Sequence, residues 1–517
     1  MKNLSKKYTQ ELRELLKDYN PWWNDSKWYE SDEHILEYQQ GALNIVSRLF
    51  YHVTNNLTIP NKYGVVTMRG PRRSGKTTLI KLVIKHLIVE KNISPSNIFY
   101  ISLDYGGRKD IELFDALKEI ANIESYEKYV FLDEASMYEN WAAELKNIID
   151  LNIISKGKLK IIATGSHSMD LVQAAALLRG RQGELANEFN LGGNLLYTPL
   201  RFSEFVEGVN KEINSLLSEI KLRKPGNRFS ILKDLSEGII SNELKDLYNK
   251  YFTTLDQLFD NYLIHGGYPK AIKEFYEQGK IHNGLYSDLA ELLIKDSERS
   301  KLEPQILKDI LTYIVEPKKL STPLGSFGIR LDDLKKKEMK KYLEYLFSTW
   351  TFFLSHPERK DKTCEPNIQD YEHSKLYVLD PFIFYSLYSY INNIPNPFEN
   401  SKKLIKDKLF SGLMVESVIA SHLLLSQQLF EHVPHVEYER ILMYSKRTDE
   451  KDHEVDFILC IRKDDQMHRF VIESKYRKKI RKSSLQQKII ILTKDILNVD
   501  GKNKITYLPT PIFLMLF

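Results

Sequence analysis

The sequence predicts a multidomain α/β protein whose first part is built on a parallel β-sheet. Residues 63–200 alternate short β-rich runs, such as "NIFYISLD" and "KLKIIATGS", with helical segments, such as "DIELFDALKEIANI". Strands that alternate with helices are typical of parallel sheets. The length of 517 residues predicts about three or four domains, at roughly 100–200 residues per domain.

Net charge, cysteine content and the length of apolar runs indicate what kind of protein this is. The net charge of +5 is too small to indicate nucleic-acid binding by itself. The two cysteines, Cys364 and Cys460, are too few for a disulfide framework and lie in no CxxC or Cys/His cluster, which favours a reducing, intracellular setting without structural zinc. No apolar run approaches the roughly 20 residues that span a bilayer. We therefore expect a cytoplasmic protein without a membrane partner.

A glycine-rich segment, "GPRRSGKTT", lies between a predicted strand and a predicted helix and fits the pattern G-x-x-x-x-G-K-[ST]. The glycines let successive backbone N–H groups face a phosphate, Lys76 reaches the β- and γ-phosphates, and the Thr77 hydroxyl binds Mg²⁺. The predicted nucleotide-binding residues are Gly70, Pro71, Arg72, Arg73, Ser74, Gly75, Lys76, Thr77 and Thr78.

Two further strands end in polar residues that suit nucleotide hydrolysis. The run "YVFLDE" delivers Asp133 and Glu134, which we expect to hold Mg²⁺ and to polarise the attacking water as general base, respectively. The run "KIIATGS" ends at Ser166. Ser166, ahead of His167, is the candidate for contact with the γ-phosphate or the water, and an N-cap of the following helix is the alternative.

Two arginines in "LLRGRQGE", Arg179 and Arg181, are candidates for an arginine finger. Such a finger acts within the chain or towards a neighbouring subunit, and the second arrangement requires a homo-oligomer. A plain surface arginine is the alternative interpretation.

A second candidate site lies near the C-terminus. Asp456 on "EVDFILC" precedes Glu473 on "FVIESKY" by 17 residues, and the segment between them suggests a hairpin turn. Two antiparallel strands would bring Asp456, Glu473 and Lys475 together in the D…(D/E)-x-K pattern of restriction-endonuclease-like folds. Glu416, on the preceding helix, would complete a Mg²⁺ site. The short segment after Lys475 leaves little room for the usual next helix, so nuclease activity stays open.

The remaining segments suggest supporting roles. Residues 301–355 suggest three helices and a strand, "TFFLSH", which suits a winged helix. The basic runs Lys335–Lys341 and Lys475–Lys482 are candidates for DNA phosphate contacts, with solvated or interdomain surfaces as alternatives. "PWWNDSKWYE" is predicted to pack onto the core, and "GGYP" to end one helix and begin the next at Pro269.

The motifs above and four further segments follow one another along the chain; the further segments are "PLRFSEF", "YLIHGGYP", "KLYVLDP" and "GLMVES". In this respect the sequence resembles archaeal-type prokaryotic ATPases of the AAA+ superfamily over residues 40–517. The resemblance implies ATP rather than GTP, and a PD-(D/E)xK nuclease-like domain at the C-terminus. It also implies a domain order: a P-loop ATPase core (63–202), a helical lid (203–300), a winged-helix-like module with a connector (301–399) and the nuclease-like α/β domain (400–517). The pattern along the chain places an N-terminal helical segment (1–62) before this core.

Two functions fit this organisation. The first is an ATP-hydrolysing machine that acts on DNA through the winged-helix and nuclease-like domains. The second is a regulatory or signalling ATPase switch that binds a protein partner and carries an inert nuclease-like domain.

Overall fold

Two units make up the chain, Met1–Thr198 and Pro199–Phe517. The structure is a computed structural model, and it describes residues 14–39, 47–103, 112–124, 126–138, 140–166, 177–178, 180–189, 193–220, 222, 224–327, 333–359, 361, 364–425, 442–445, 454–463, 466–476 and 488–517. The finer divisions predicted within the second unit stay predictions.

The first unit alternates strands and helices along the chain. Its strands are β1 (Gly64–Arg69), β2 (Ile98–Ser102), β3 (Lys128–Asp133), β4 (Leu159–Gly165) and β5 (Asn194–Leu196). Its described α-helices are α1 (Glu33–Gln39), α2 (Arg48–Leu57), α3 (Lys76–Val89), α4 (Leu113–Asn122), α5 (Trp141–Asp150), α6 (Ile153–Gly157) and α7 (Glu184–Glu188).

The five strands form one parallel sheet in the order β2-β3-β4-β1-β5. Successive side chains of β1 enter opposite cores: Val65 packs in one apolar cluster and Val66 in the other. A strand buried on both faces has apolar residues at consecutive positions, as parallel sheets require. The predicted parallel α/β core is confirmed, with β4 inserted between β1 and β3.

The tryptophan-rich N-terminal segment packs onto this sheet. Trp22 and Trp28 are almost fully buried in the cluster that contains Ile80 of α3. The Trp22 indole N–H donates to the Ile98 carbonyl at 3.1 Å, which satisfies the polar end of a buried ring. The predicted packing of this segment onto the core is confirmed.

The second unit begins with helices and continues into a large sheet. Its α-helices are α8 (Phe202–Val209), α9 (Lys211–Glu219), α10 (Pro225–Ser236), α11 (Asn242–His265), α12 (Pro269–Gln278), α13 (Asn283–Asp296), α14 (Pro304–Ile314), α15 (Asp333–Ser348), α16 (Pro381–Ile391), α17 (Pro397–Leu404), α18 (Lys408–Leu425) and α19 (Thr510–Leu514). Its strands are β6 (Phe352–Pro357), β7 (Lys375–Val378), β8 (Met443–Ser445), β9 (Val455–Lys463), β10 (Gln466–Lys475), β11 (Ile489–Thr493), β12 (Asn498–Asp500) and β13 (Ile505–Pro509).

These strands form one mixed sheet in the order β12-β13-β11-β10-β9-β8-β6-β7. The predicted hairpin between Asp456 and Glu473 is confirmed, because β9 and β10 pair antiparallel. The strand "TFFLSH" becomes β6 and pairs with β8, so the strand assigned to the winged helix continues the C-terminal sheet. Residues 328–332, which belong to the three-helix segment predicted for that module, lie outside the described residues.

The "GGYP" segment ends one helix and begins another, as predicted. α11 ends at His265 with Gly266 as C-cap, and Pro269 is the first residue of α12. The Gly267 N–H donates to Asp380 Oδ2 at 2.6 Å, and Asp380 also caps the start of α16. One buried carboxylate therefore joins this turn to a helix more than 100 residues later.

The cysteines differ from expectation. Cys364 and Cys460 form a disulfide across a sequence separation of 96 residues. The sequence did not indicate this disulfide, because the two cysteines lie far apart and have no local spacing motif. The cysteine count therefore no longer argues for a reducing setting. Within the described part of the chain, every helix is too short or too polar to cross a membrane.

Candidate functional site

The glycine-rich loop lies between the end of β1 and the start of α3, where two glycines are required for different reasons. Gly75, the N-cap of α3, has φ +101°, a left-handed conformation that side chains disfavour. Gly70 has a close neighbour instead, since a Cβ there would lie 1.8 Å from the Tyr197 carbonyl oxygen. The loop thus leads directly into a helix N-terminus, where N–H groups attract phosphate.

Lys76 is buried at this helix start. Its Nζ donates to the carbonyl oxygens of Gly70 (3.0 Å) and Pro71 (2.9 Å). Burial lowers the pKa of Lys76, against the carboxylates of Glu134 and Asp133, which raise it. The ammonium is thus held by the loop's own backbone beside two acidic groups.

Asp133 collects three hydroxyl donors. Thr77 and Tyr100 donate to its Oδ2, each at 2.8 Å, and Thr164 donates to its Oδ1. Burial and the Asp133 carboxylate raise the pKa of Tyr100, so its hydroxyl stays protonated as a donor. The Thr77 hydroxyl and the Asp133 carboxylate are oxygen donors of the kind that Mg²⁺ prefers, and their proximity fits the predicted metal position.

Sequence reasoning missed Tyr100 and Thr164. Tyr100 lies in the apolar run of β2 and Thr164 in that of β4, where each resembles an ordinary core residue. The only available signal is that both lie on strands that flank β3, at whose carboxyl edge parallel sheets build ligand sites.

Glu134 follows β3 in a left-handed conformation, with φ +51°. Its Oε2 accepts hydrogen bonds from the Ser166 hydroxyl at 2.9 Å and the Ser166 N–H at 3.3 Å. A non-glycine residue at positive φ is uncommon and is found in turns and at functional sites. The structure therefore brings together the predicted general base and the predicted polar residue of the neighbouring strand.

The remaining predicted residues of this unit include the two candidates for an arginine finger. Arg181 is about half exposed and pairs with Asp150, with Nε and Oδ1 3.3 Å apart. Arg179 and His167 lie outside the described residues. Arg73 is exposed, whereas Arg72 and Thr78 are partly buried. The arginine finger stays a prediction.

The second candidate site draws its residues from α18, β9 and β10. The pairing of β9 with β10 extends to Phe457 and Ile472, so Asp456 and Glu473 come next on adjacent strands. The Ser474 N–H donates to Asp456 Oδ2 at 2.9 Å, and Lys475 forms an ion pair with Glu473. Glu416 of α18 and Asp456 both contact one further residue.

That residue is Lys375, the first residue of β7, which the sequence did not indicate. Its Nζ lies 3.4 Å from Glu416 Oε1, 3.4 Å from Asp456 Oδ1 and 2.7 Å from Glu454 Oε1. Burial disfavours the charge, but these three carboxylates outweigh it and raise the pKa of Lys375. Lys375 therefore stays a cation.

Glu416 has a further partner in Tyr377, whose hydroxyl donates to its Oε1 at 2.9 Å. Burial and the nearby Asp456 raise the pKa of Glu416 to about 7, with Lys375 opposing the rise. Across the residues that the structure describes, no three His, Cys, Asp or Glu side chains are placed to hold one metal ion. The three predicted carboxylates are thus divided between two lysines: Glu416 and Asp456 contact Lys375, and Glu473 contacts Lys475.

Two protein-family models match parts of the chain. Residues 62–206 match the AAA domain family, a range that contains the glycine-rich loop, Asp133, Glu134 and Ser166. Residues 256–394 match a domain of unknown function (DUF8612).

A curated relative and two solved structures are also similar to the chain. An uncharacterized protein of Methanocaldococcus jannaschii is 28% identical over 248 residues, which are 47% of this chain and 45% of that protein. The chain thus matches less than half the length of this relative. A Walker-type ATPase of Pyrococcus abyssi has 13% identity and a TM-score of 0.35, covering 65% of this chain and 94% of that one.

The ORC1 protein of Aeropyrum pernix, solved in complex with DNA, has 11% identity and a TM-score of 0.27, covering 71% of this chain and 92% of that one. At these TM-scores the two likenesses support no functional argument. The AAA domain match and the parallel five-stranded sheet together support an AAA-type P-loop ATPase core over residues 62–206.

Proposed function

We propose that the first unit binds ATP with Mg²⁺ and hydrolyses it. The observation that carries the proposal is the convergence of Lys76, Thr77, Asp133, Glu134 and Ser166 at the carboxyl edge of one parallel sheet. In such sheets ligands bind beyond the carboxyl ends of the strands.

Each residue has a role in this proposal. Lys76 exchanges its bonds to the Gly70 and Pro71 carbonyls for the β- and γ-phosphates of ATP. Thr77 and Asp133 hold Mg²⁺, which neutralises phosphate charge when it is bound. Tyr100 and Thr164 orient Asp133 through their hydroxyls.

Glu134 is the general base of the proposed reaction. It takes a proton from the attacking water as the water oxygen bonds to the γ-phosphorus and the bond to the ADP oxygen breaks. Ser166 is a positioning residue, because its hydroxyl and N–H hold the Glu134 carboxylate in place.

Phosphate release from ATP tests the proposal. We expect the wild-type chain to release phosphate with Mg²⁺ present and Lys76→Ala to fall to background. Lys91→Ala, an exposed lysine just beyond α3, is the matched control and should retain the wild-type rate. A wild type that neither binds nor hydrolyses ATP would overturn the proposal.

We further propose DNA as the partner of the second unit. The support is sequence charge: six of the eight residues in Lys475–Lys482 and five of the seven in Lys335–Lys341 are basic. Backbone phosphates are recognised by such charge without sequence readout. A regulatory switch that binds a protein partner is the alternative.

Binding of a labelled duplex at two salt concentrations separates these functions. DNA recognition by phosphate contacts predicts that the logarithm of the affinity falls as the logarithm of the salt concentration rises. A chain that hydrolyses ATP yet binds no duplex at low salt would instead favour the switch with a protein partner.

A further inference from the structure

The cluster around Lys375 has the composition of a metal site with an ammonium at its centre. The Lys375 side chain is only 5% exposed, and its Nζ lies 2.7–3.4 Å from oxygens of Glu416, Glu454 and Asp456. An ammonium has three donors and no acceptor. Three carboxylates thus surround a cation with three protons to donate.

The carboxylates of this cluster have other protein donors as well. Tyr377 donates to Glu416 Oε1, and the Ser474 N–H donates to Asp456 Oδ2. Tyr377 belongs to β7, the strand of Lys375, and Ser474 to β10, which pairs with the strand of Asp456, so both donors come from the same sheet. Removing one partner from a buried ion pair leaves an uncompensated charge, which is strongly unfavourable.

In the predicted nuclease-like site, Glu416 and Asp456 would share a metal ion with Glu473. Both contact Lys375, while Glu473 contacts Lys475. Mg²⁺ requires oxygen ligands at about 2.0–2.1 Å in octahedral geometry. The ammonium holds the oxygens at hydrogen-bond distances instead, which are about 1 Å longer.

We propose that Lys375 is a built-in cation that takes the place of the divalent metal at this site. The nuclease-like centre is accordingly an ion-paired cluster that stabilises the second unit, and it does not cleave nucleic acid. This inference is independent of ATP hydrolysis, since its residues belong to the other unit, and its failure leaves the ATPase proposal unaffected.

Titration of the full chain with MnCl₂, followed by electron paramagnetic resonance without nucleotide, tests the proposal. In the wild type we expect no Mn²⁺ site that Asp456→Asn removes. Lys375→Met should gain one such site and bind Mn²⁺ there at least about tenfold more tightly than the wild type, because three carboxylates lose their cation. The double variant Lys375→Met/Asp456→Asn should lose it again. Lys402→Met, which removes an exposed lysine paired with Glu399, should match the wild type.

Three outcomes would overturn the proposal. One is a wild-type Mn²⁺ site that disappears in Asp456→Asn, and another is a folded Lys375→Met variant that gains no site. The third is wild-type nicking of supercoiled DNA with Mg²⁺ or Mn²⁺ that Asp456→Asn abolishes. The first and third outcomes need no Lys375 variant, so they decide the matter even if Lys375→Met fails to fold.

Discussion

The Ser166 hydroxyl donates a hydrogen bond of 2.9 Å to Glu134 Oε2, which joins the residue after β3 to the residue after β4. We expect Ser166→Ala to lower kcat for ATP hydrolysis roughly tenfold, because one hydrogen bond to a charged group is lost. The KM for ATP should change little, since Ser166 positions the base. Ser166→Thr, which retains a hydroxyl, should recover most of the rate in the same steady-state assay. An unchanged kcat in Ser166→Ala would contradict this role.

Tyr100→Phe is expected to weaken the affinity of the ATPase for Mg²⁺. The substitution removes one hydroxyl donor from Asp133 Oδ2 while preserving the ring in the core. Loss of a partner behind a metal ligand typically reduces metal affinity about 10–100-fold, so the half-saturating Mg²⁺ concentration should rise. Tyr129→Phe is the matched control, because Tyr129 bonds to Glu127 rather than Asp133. Equal Mg²⁺ titrations for both variants would argue against the role of Tyr100.

The disulfide between Cys364 and Cys460 should contribute to the stability of the second unit. It closes a loop of 96 residues, for which loop-closure entropy predicts about 2–5 kcal/mol. Urea unfolding of the oxidised wild type should therefore shift to lower denaturant after addition of dithiothreitol. Cys460→Ser should start at the lower midpoint and show no response to the reductant. A wild-type midpoint that dithiothreitol leaves unmoved would contradict the expectation.

Asp380 should make the stability of the second unit depend on pH. Burial raises its pKa to about 7, against hydrogen bonds from the N–H groups of Gly267, Phe382 and Ile383. Since an unfolded aspartate has a pKa of about 3.9, the folded state binds the proton more tightly. The stabilising contribution is thus fully present below about pH 4 and is lost as the pH rises through about 7.

Urea unfolding at pH 5 and pH 8 measures this dependence. We expect the wild-type free energy of unfolding to be lower at pH 8, and Asp380→Asn to show a smaller difference between the two conditions. Asp407→Asn is the control, because Asp407 accepts N–H bonds at the start of α18 but is exposed. A pH difference as large in Asp380→Asn as in the wild type would exclude this carboxylate as its source.

Local patterns made much of the ATPase core predictable. The loop from Gly70 to Thr77 and the pair Asp133-Glu134 depend on spacing within a few residues, and strand–helix alternation brings them to one sheet edge. The β9–β10 hairpin was predictable for the same reason. In each case the interacting residues are near in sequence or are ordered by the topology of a parallel sheet.

Long-range pairs were not predictable. Lys375 lies 41 residues before Glu416 and 81 before Asp456, on a strand that the sequence assigned to another module. The disulfide spans a similar separation without a motif. Tyr100 was missed because a tyrosine in an apolar run has the pattern of a core residue until its hydroxyl partner is known.

ATP binding and turnover by Glu134→Gln test whether Glu134 is the general base of ATP hydrolysis. The substitution retains the size of the side chain and removes the proposed base while leaving Lys76, Thr77 and Asp133 in place. We expect this variant to bind ATP with Mg²⁺ as tightly as the wild type and to hydrolyse it about 10²–10⁴-fold more slowly. Hydrolysis by Glu134→Gln at the wild-type rate would show that Glu134 is not the general base.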